Sequence, residues 1–279
     1  MAGQQSNQWS RDTKWRQGHV LSTAALIALG LKNSVDELVT PAVVISHDCD
    51  LANDDLDIEP NVEIILGSLV PAPNGNFTWG KAPRTLHLPM TFNGEVVTVE
   101  LVATNKIAAP KSTLGQFDPS PEFALDGKGL NVLRSWLSAR YKRSAFSDAF
   151  VNRMSETKLD QKLAKALQPH GGLISFVNFD IDGGKNVERA EGDPYTLSIV
   201  LVYPPGDDPE TSAETAQTVV QAVEKVCDEC LSDATRISLK RCIAISEDDM
   251  TISQARVLMQ WRLEHMTNKA NDHLGPVAV

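Results

Sequence analysis

The reactive side chains of this 279-residue chain are concentrated in one place, directly after the apolar run at 41–45. The β-branched residues of that run are typical of a buried strand. If the strand continues, alternate side chains share a face, so Ser46, Asp48 and Asp50 point to one side. His47 and Cys49 then point to the other side. We therefore expect the chemistry of the protein to lie at the end of this strand.

Two kinds of chemistry fit these residues. Asp48 and Asp50 on one face could hold a divalent metal, Mg or Mn, through hard oxygen ligands, with His47 or Cys49 assisting. Alternatively, Cys49 acts as a nucleophile, with His47 or a base from a distant part of the chain. The neighbouring carboxylates disfavour a thiolate, which favours the metal. A third interpretation is structural: Asp50 makes a turn, Cys49 packs in the core and His47 faces water.

Three further motifs carry weaker signals. Asp180 and Asp182 have the spacing that places two carboxylates on one face of a strand, as in metal sites, but a soluble hairpin uses it too. Cys227 and Cys230 form a C-x-x-C within a helical pattern, which favours core cysteines over zinc. The stretch 75–82 resembles part of a phosphate-binding loop. It lacks the Ser/Thr that binds magnesium and the helix that should follow, so that function is rejected.

Positive charge is concentrated at 126–168, although the whole chain carries −10. This segment holds nine Lys/Arg against four acids, a net +5 that leaves −15 for the rest. Cations beside the aromatic Tyr141 could contact a nucleotide or nucleic acid through phosphate binding and base stacking. A solvated helix face that docks on acids of the same chain is the alternative. The predicted substrate-binding residues are Arg140, Lys142 and Arg143.

The predicted fold is α+β. A hairpin is expected at 85–102, because Asn93-Gly94 supplies the positive φ angles of a tight type I′ turn between alternating flanks, and Pro89 suits only an edge strand. The other predicted strands are 42–46, 62–70, 173–182, 195–203 and 236–245, and the predicted helices begin near Asp126 and cover 147–167, 212–231 and 252–267.

These elements predict a domain layout in which residues 46–50 lie in the first folded domain. The expected order is a disordered lead-in, a small β-barrel-like domain, a basic helical connector and a C-terminal α/β sheet domain. The predicted boundaries are 1–14, 15–115, 116–170 and 171–279.

Three apolar segments carry a resemblance to a known family. Residues 17–21, 41–46 and 61–65 are similar to the strand pattern of PemK/MazF-type toxins. The resemblance covers about residues 15–70 and implies a small SH3-like barrel of the kind that cleaves RNA. The family has an Arg before the Pro of its central strand, where this chain has Thr40, and residues 23–40 form a longer insertion. It therefore implies the barrel shape and transfers no catalytic residue.

Composition narrows the function. No apolar run approaches the ~18 residues of a membrane span, so no membrane partner is expected. Four scattered cysteines indicate no disulfide framework, and the cytoplasm is the expected compartment. We predict a metal-assisted hydrolase acting on a phosphate-containing or nucleic-acid substrate, in a bacterial setting like that of toxins or phage defence. The alternative is a non-catalytic interaction module whose acidic surface meets a basic protein.

Overall fold

The chain forms two compact units, each with its own sheet and hydrophobic core. The computed structural model describes residues 9–32, 40–139, 141, 146–232 and 234–262. The first unit takes the described residues within 1–73 and 83–138, and the second takes those within 74–82 and 139–279. The mixture of helices and strands confirms the predicted α+β class. Within these described ranges, no helix is long and apolar enough to cross a membrane.

The first unit is built on a curled, antiparallel half-barrel sheet. Its strands are β1 (Ala42–Val44), β2 (Asn61–Val70), β3 (Thr85–Phe92), β4 (Glu95–Pro110) and β5 (Phe123–Ala124). Their order in the sheet is β1-β2-β4-β3-β5. The long β4 pairs with β2 on one side and β3 on the other, with a register shift between Ile65 and Gly67 of β2. Such an irregularity bends a strand, as a curled sheet requires.

The hairpin between β3 and β4 is confirmed. Asn93 and Gly94 both have positive φ angles, 50° and 86°, and Phe92 pairs with Glu95 across the turn. Pro89 pairs with Thr98 on β4, whereas β5 pairs only with the last two residues of β3. Pro89 therefore lies where β3 is an edge, as its missing N–H requires.

The helices of the first unit pack on both sides of this sheet. They are α1 (Thr23–Ala28), α2 (Asp48–Ala52), α3 (Lys111–Leu114) and α4 (Gly127–Ala139). From α4, Leu133 and Trp136 enter a core that includes Leu86 and Leu101. Trp9 belongs to the other core of this unit and is only 4% exposed. Residues 9–14, predicted as part of a disordered lead-in, are thus partly held by core packing.

The second unit has a four-stranded sheet covered by long helices. Its strands are β6 (Phe176–Ile181), β7 (Tyr195–Tyr203), β8 (Ile237–Ser246) and β9 (Met259–Gln260), and its helices are α5 (Asp148–Glu156), α6 (Leu159–Leu167), α7 (Pro209–Cys230) and α8 (Ile252–Val257). The strand order is β8-β7-β6-β9, with β7 and β8 parallel and the other pairs antiparallel. Within its core, Phe150 makes edge-on contacts with both Phe179 and Tyr195. The segment 116–170, predicted as a connector, contributes α4 to the first unit and α5 and α6 to the second.

Several predicted boundaries are wrong, each for a local reason. The strand at 42–46 ends at Val44, because the chain then turns into α2. The helix at 147–167 is divided, since Lys158 takes a left-handed φ of 57° between α5 and α6. The helix at 252–267 ends at Val257, where the chain extends and places Trp261 flat against Phe179, with 5.1 Å between ring centres. The last part of that prediction lies outside the described residues.

Candidate functional site around Asp48

The predicted reactive cluster forms the start of a short helix instead of the end of a strand. His47 is extended and its Nδ1 accepts a hydrogen bond from the N–H of Cys49 (3.2 Å), which caps α2. The strand alternation predicted for 46–50 is therefore wrong. Residues two apart on a helix do not face the same way, so Asp48 and Asp50 diverge. His47, Cys49 and Asp50 are exposed and Asp48 is half-buried.

Asp48 is engaged by two residues that the sequence analysis did not select. The backbone N–H of Gln17 donates to Oδ1 of Asp48 at 2.8 Å. The guanidinium of Arg134, on α4, approaches Oδ2 with its Nη2 at 3.5 Å. The side chains of Asp48 and Arg134 are each 40% exposed, so water reaches this ion pair. An ion pair of such exposure contributes at most about 1 kcal/mol to stability.

Gln17 is the buried member of the group and joins its parts. Its side-chain Oε1 accepts a hydrogen bond from Nε of Arg134 at 2.8 Å, and its Nε2 donates to the carbonyl of Ile45 at 2.8 Å. The residue is 8% exposed, so both bonds are made away from bulk water. Gln17 therefore fixes the orientation of the guanidinium relative to the carboxylate of Asp48.

The turn that carries Gln17 depends on a glycine. Gly18 has a φ of 90° and donates its N–H to the carbonyl of Val44 at 2.8 Å. A Cβ at this position would lie 2.9 Å from Cδ2 of Leu125. Because positive φ and close approach both favour glycine, this position holds the turn against the end of β1.

His19 lies on the same turn and is half-buried. Its Nδ1 accepts a hydrogen bond from the N–H of Arg16 at 3.1 Å, so the neutral ring carries its hydrogen on Nε2. Burial and the charge of Arg16 lower the pKa of His19, and Asp48 opposes them. At neutral pH the ring is therefore a neutral donor. We refer to Gln17, His19, Asp48 and Arg134 as the Asp48 cluster.

The guanidinium of Arg134 still has hydrogens to offer. Its Nε bonds Gln17 and its Nη2 approaches Asp48. Among the residues that the structure describes, none accepts a hydrogen bond from its Nη1. A planar guanidinium fixed at one edge and open at the other can bind an oxyanion through two parallel hydrogen bonds. The cluster thus joins an anion-binding group, a neutral imidazole donor and a carboxylate.

The far end of α2 is fastened by a buried lysine. Lys111 is fully buried, and its Nζ donates to the carbonyls of Asp50 (2.6 Å) and Asn53 (2.8 Å). The ammonium also lies 5.5 Å from the ring centre of Trp9. Lys111 thereby satisfies backbone acceptors at the helix end that would otherwise lack partners.

The sequence analysis selects two other possible metal sites, Asp180 with Asp182 and Cys227 with Cys230. The carboxylate of Asp182 accepts hydrogen bonds from Nε of Arg189 (2.7 Å) and the N–H of Thr196 (2.9 Å), whereas Oδ1 of Asp180 is buried and has no hydrogen-bond partner among the described residues. Cys227 lies in the core, where burial raises its pKa to about 12. Within the described ranges, no three His, Cys, Asp or Glu side chains form a group that could hold a metal ion. The metal at Asp48 and Asp50 stays a prediction.

The predicted substrate-binding residues Arg140, Lys142 and Arg143 lie outside the described residues. Tyr141, which the sequence analysis grouped with them, is described and is 81% exposed. Their predicted role with phosphate stays a prediction.

A stability comparison tests whether Asp48 supports function rather than the fold. We expect Asp48→Asn to lower the free energy of unfolding by less than about 1 kcal/mol, because the ion pair is half-exposed. Gln17→Leu should cost roughly 2–3 kcal/mol, because Arg134 and Ile45 then lose buried hydrogen-bond partners. Urea unfolding of both variants measures this difference. An Asp48→Asn variant as unstable as Gln17→Leu would make Asp48 a structural residue.

Comparison with protein-family models, with curated proteins and with solved structures finds no match to this chain. The PemK/MazF resemblance therefore stays a prediction. The evidence for a function therefore lies in the geometry of the Asp48 cluster.

Proposed function

We propose that the protein is an enzyme that cleaves a phosphate ester in a phosphate-containing or nucleic-acid substrate at the Asp48 cluster. One observation carries the proposal: the guanidinium of Arg134 is fixed by the buried amide of Gln17 and presents its open edge beside Asp48. In a chain of net charge −10, a fixed and half-exposed cation of this kind favours a specific anionic ligand over general attraction.

Each member of the cluster has a role in this proposal. Arg134 binds the phosphate oxygens and stabilises the charge that develops on them. Asp48 accepts the proton of the attacking water as its oxygen bonds to phosphorus. His19 donates a hydrogen bond from Nε2 to the leaving oxygen and stabilises its charge as the phosphorus–oxygen bond breaks. The leaving oxygen takes its proton from water, Asp48 releases its proton to solvent, and the site returns to its starting state.

The position of Arg134 in the chain agrees with a nucleic-acid substrate. It lies on α4, and the predicted phosphate-binding residues Arg140, Lys142 and Arg143 follow that helix directly in the sequence.

Binding of polyphosphate ligands tests the role of Arg134. We expect wild-type protein to bind ATP or a short single-stranded RNA, and Arg134→Gln to bind it roughly 10- to 100-fold more weakly, because charge-assisted hydrogen bonds contribute about 1.5–3 kcal/mol. Calorimetry gives the affinities, and release of labelled product gives the activity. Arg134→Lys should recover only part of the affinity, since the amine lacks the planar fork.

A matched control removes a charge from the same helix. Lys128 is exposed on α4, so Lys128→Gln changes the net charge as Arg134→Gln does. Equal losses in the two variants would mean that binding is general electrostatic attraction. Unchanged binding in Arg134→Gln would reject the Asp48 cluster as the phosphate site.

The predicted Mg or Mn has its own test. If Asp48 and Asp50 hold the ion, it should raise the melting temperature of wild-type protein, and the Asp48→Asn/Asp50→Asn variant should lose that rise. Elemental analysis of purified protein gives the stoichiometry. If neither protein responds to the metals, the metal prediction is wrong, while the proposed role of Arg134 is tested independently by ligand binding.

A second candidate function is non-catalytic binding of a basic protein. Residues 33–80 contain nine Asp or Glu and no Lys or Arg. Within this stretch, Asp54, Asp55 and Asp57 are exposed beside Ile58, which is 72% exposed. The buried Lys111 donates hydrogen bonds to the carbonyls of Asp50 and Asn53 and so anchors the chain directly before Asp54. A fixed acidic segment with an apolar side chain suits a cationic partner surface.

Salt-dependent binding of a cationic probe distinguishes this candidate. We expect polyarginine to bind wild-type protein and to lose roughly tenfold or more in affinity in an Asp54→Asn/Asp55→Asn/Asp57→Asn variant, because three charges leave one surface. Glu95→Gln/Glu122→Gln, which removes two exposed acids elsewhere, is the control. Equal weakening in both variants would show that the net charge alone is sensed.

A further inference from the structure

Two buried lysines in this protein make the same kind of hydrogen bonds. Lys111 donates to two backbone carbonyls in the first unit. Lys81, in the second unit, donates to the carbonyls of Gly171 (2.7 Å) and Ile174 (2.8 Å) and is 3% exposed. Lys81 lies in the stretch 75–82, whose resemblance to a phosphate-binding loop was rejected. The burial of the Lys81 side chain therefore needs another explanation.

The electrostatic surroundings of the two amines differ. Burial lowers the pKa of Lys111, but the carboxylates of Glu59, Asp50 and Asp54 oppose that shift and compensate its charge. Burial alone lowers the pKa of Lys81, to about 7. The ionisable side chains on the segments around Lys81 are His170, next to Gly171, and Arg262, which donates to the carbonyl of Gly80 at 2.9 Å. Neither is negative, so the described part of the chain supplies no counter-ion to a charged Lys81.

The hydrogen-bond count at Lys81 matches a neutral amine. A neutral amine has two hydrogens, and the carbonyls of Gly171 and Ile174 accept both. An ammonium brings a third hydrogen, and no third acceptor for it occurs among the residues that the structure describes. A buried donor without a partner costs about 1–3 kcal/mol. Carbonyls favour the ammonium to some extent, but burial without a counter-ion opposes it more strongly.

Lys81 holds a tightly fitted segment in place. Gly75 lies so close to Gly171 that a Cβ on either residue would overlap the backbone of the other segment. Thr78 donates its hydroxyl to the carbonyl of Gly171 at 2.9 Å. Trp79 donates Nε1 to the carbonyl of Gly172 at 3.2 Å and has a left-handed φ of 58°. Such a conformation is strained for a bulky residue and needs surrounding contacts to persist.

We propose that the Lys81 amine is a pH-sensitive fastener, which holds residues 74–82 to residues 171–174 while it is neutral and loosens them when it is protonated. The proposal is independent of the Asp48 cluster. Its geometry consists of two accepted hydrogens, a backbone-to-backbone contact and a strained residue, all within one short segment. Protonation adds a charge and an unmatched hydrogen where that segment has no space to adjust.

The sign of the pH effect follows from linkage. Lys81 keeps its proton up to about pH 10.4 in the unfolded chain but loses it near pH 7 in the folded one. The unfolded state therefore binds more protons above pH 7, and stability rises with pH. Cys227 and Cys242 act oppositely above about pH 8.5, because burial raises the pKa of both to about 12. The difference between wild-type protein and Lys81→Met in the range from pH 7 to 8.5 isolates Lys81, because the contributions of the other groups cancel in it.

Titration of the amine is the direct experiment. We expect the side-chain ¹⁵N signal of Lys81 in the full chain, identified by its absence in Lys81→Met, to titrate near pH 7. The folding equilibrium constant of wild-type protein should gain about 15-fold more than that of Lys81→Met between pH 7 and 8.5. Amide exchange at 171–174, corrected for its intrinsic pH dependence, should quicken below pH 6.5 in wild-type protein only.

Controls separate this effect from burial in general. Lys111→Met removes the buried lysine that makes the same kind of hydrogen bonds and should leave the titration of Lys81 unchanged. A Lys81 signal that titrates above pH 9 would overturn the proposal, and so would equal pH dependence in wild-type protein and Lys81→Met. If Lys81→Met does not fold, the titration of wild-type protein, assigned through its own backbone, decides alone.

Discussion

A buried polar side chain must find its hydrogen-bond partners within the protein, and the first unit depends on how Gln17 meets that requirement. Its amide bonds the carbonyl that follows β1 and the guanidinium on α4, while its backbone N–H bonds Asp48. Residues 45–48 and α4, which are far apart in the sequence, are therefore joined through one buried residue. Loss of the Gln17 side chain leaves the buried carbonyl of Ile45 without its partner, whereas the half-exposed Asp48 and Arg134 keep access to water.

The same requirement explains why so acidic a protein buries positive charge. Lys111 lies beneath the acidic segment and uses backbone carbonyls rather than carboxylates as acceptors. The acids around it remain at the surface and still compensate its charge through space. Lys81 makes similar bonds without such compensation. With Lys81 neutral, as we propose, nearby carboxylates and not hydrogen-bond geometry alone decide the protonation state of a buried amine.

Local patterns predicted the elements but not the site. The hairpin at Asn93-Gly94 and the strand Tyr195–Tyr203 agree with the structure, because turn chemistry and apolar composition act over a few residues. The side-chain alternation expected for 46–50 is wrong because the side chain of His47 caps α2 there. Gln17 and Arg134 were missed, since no sequence pattern joins positions 117 residues apart. The reactive residues selected from the sequence include one member of the Asp48 cluster, Asp48 itself.

The insertion of residues 74–82 into the second unit also constrains how the chain is made. The residues on both sides of this segment belong to the first unit, so the chain enters the second unit, leaves it and later returns. The contacts of Lys81 span 90 and 93 residues. During synthesis, the Lys81 amine has no access to its two carbonyl acceptors until residues 171–174 have been made. No continuous piece of the sequence therefore contains the whole second unit without residues 83–138 of the first unit. A piece that begins after residue 138 lacks residues 74–82, the segment that Lys81 bonds to residues 171–174.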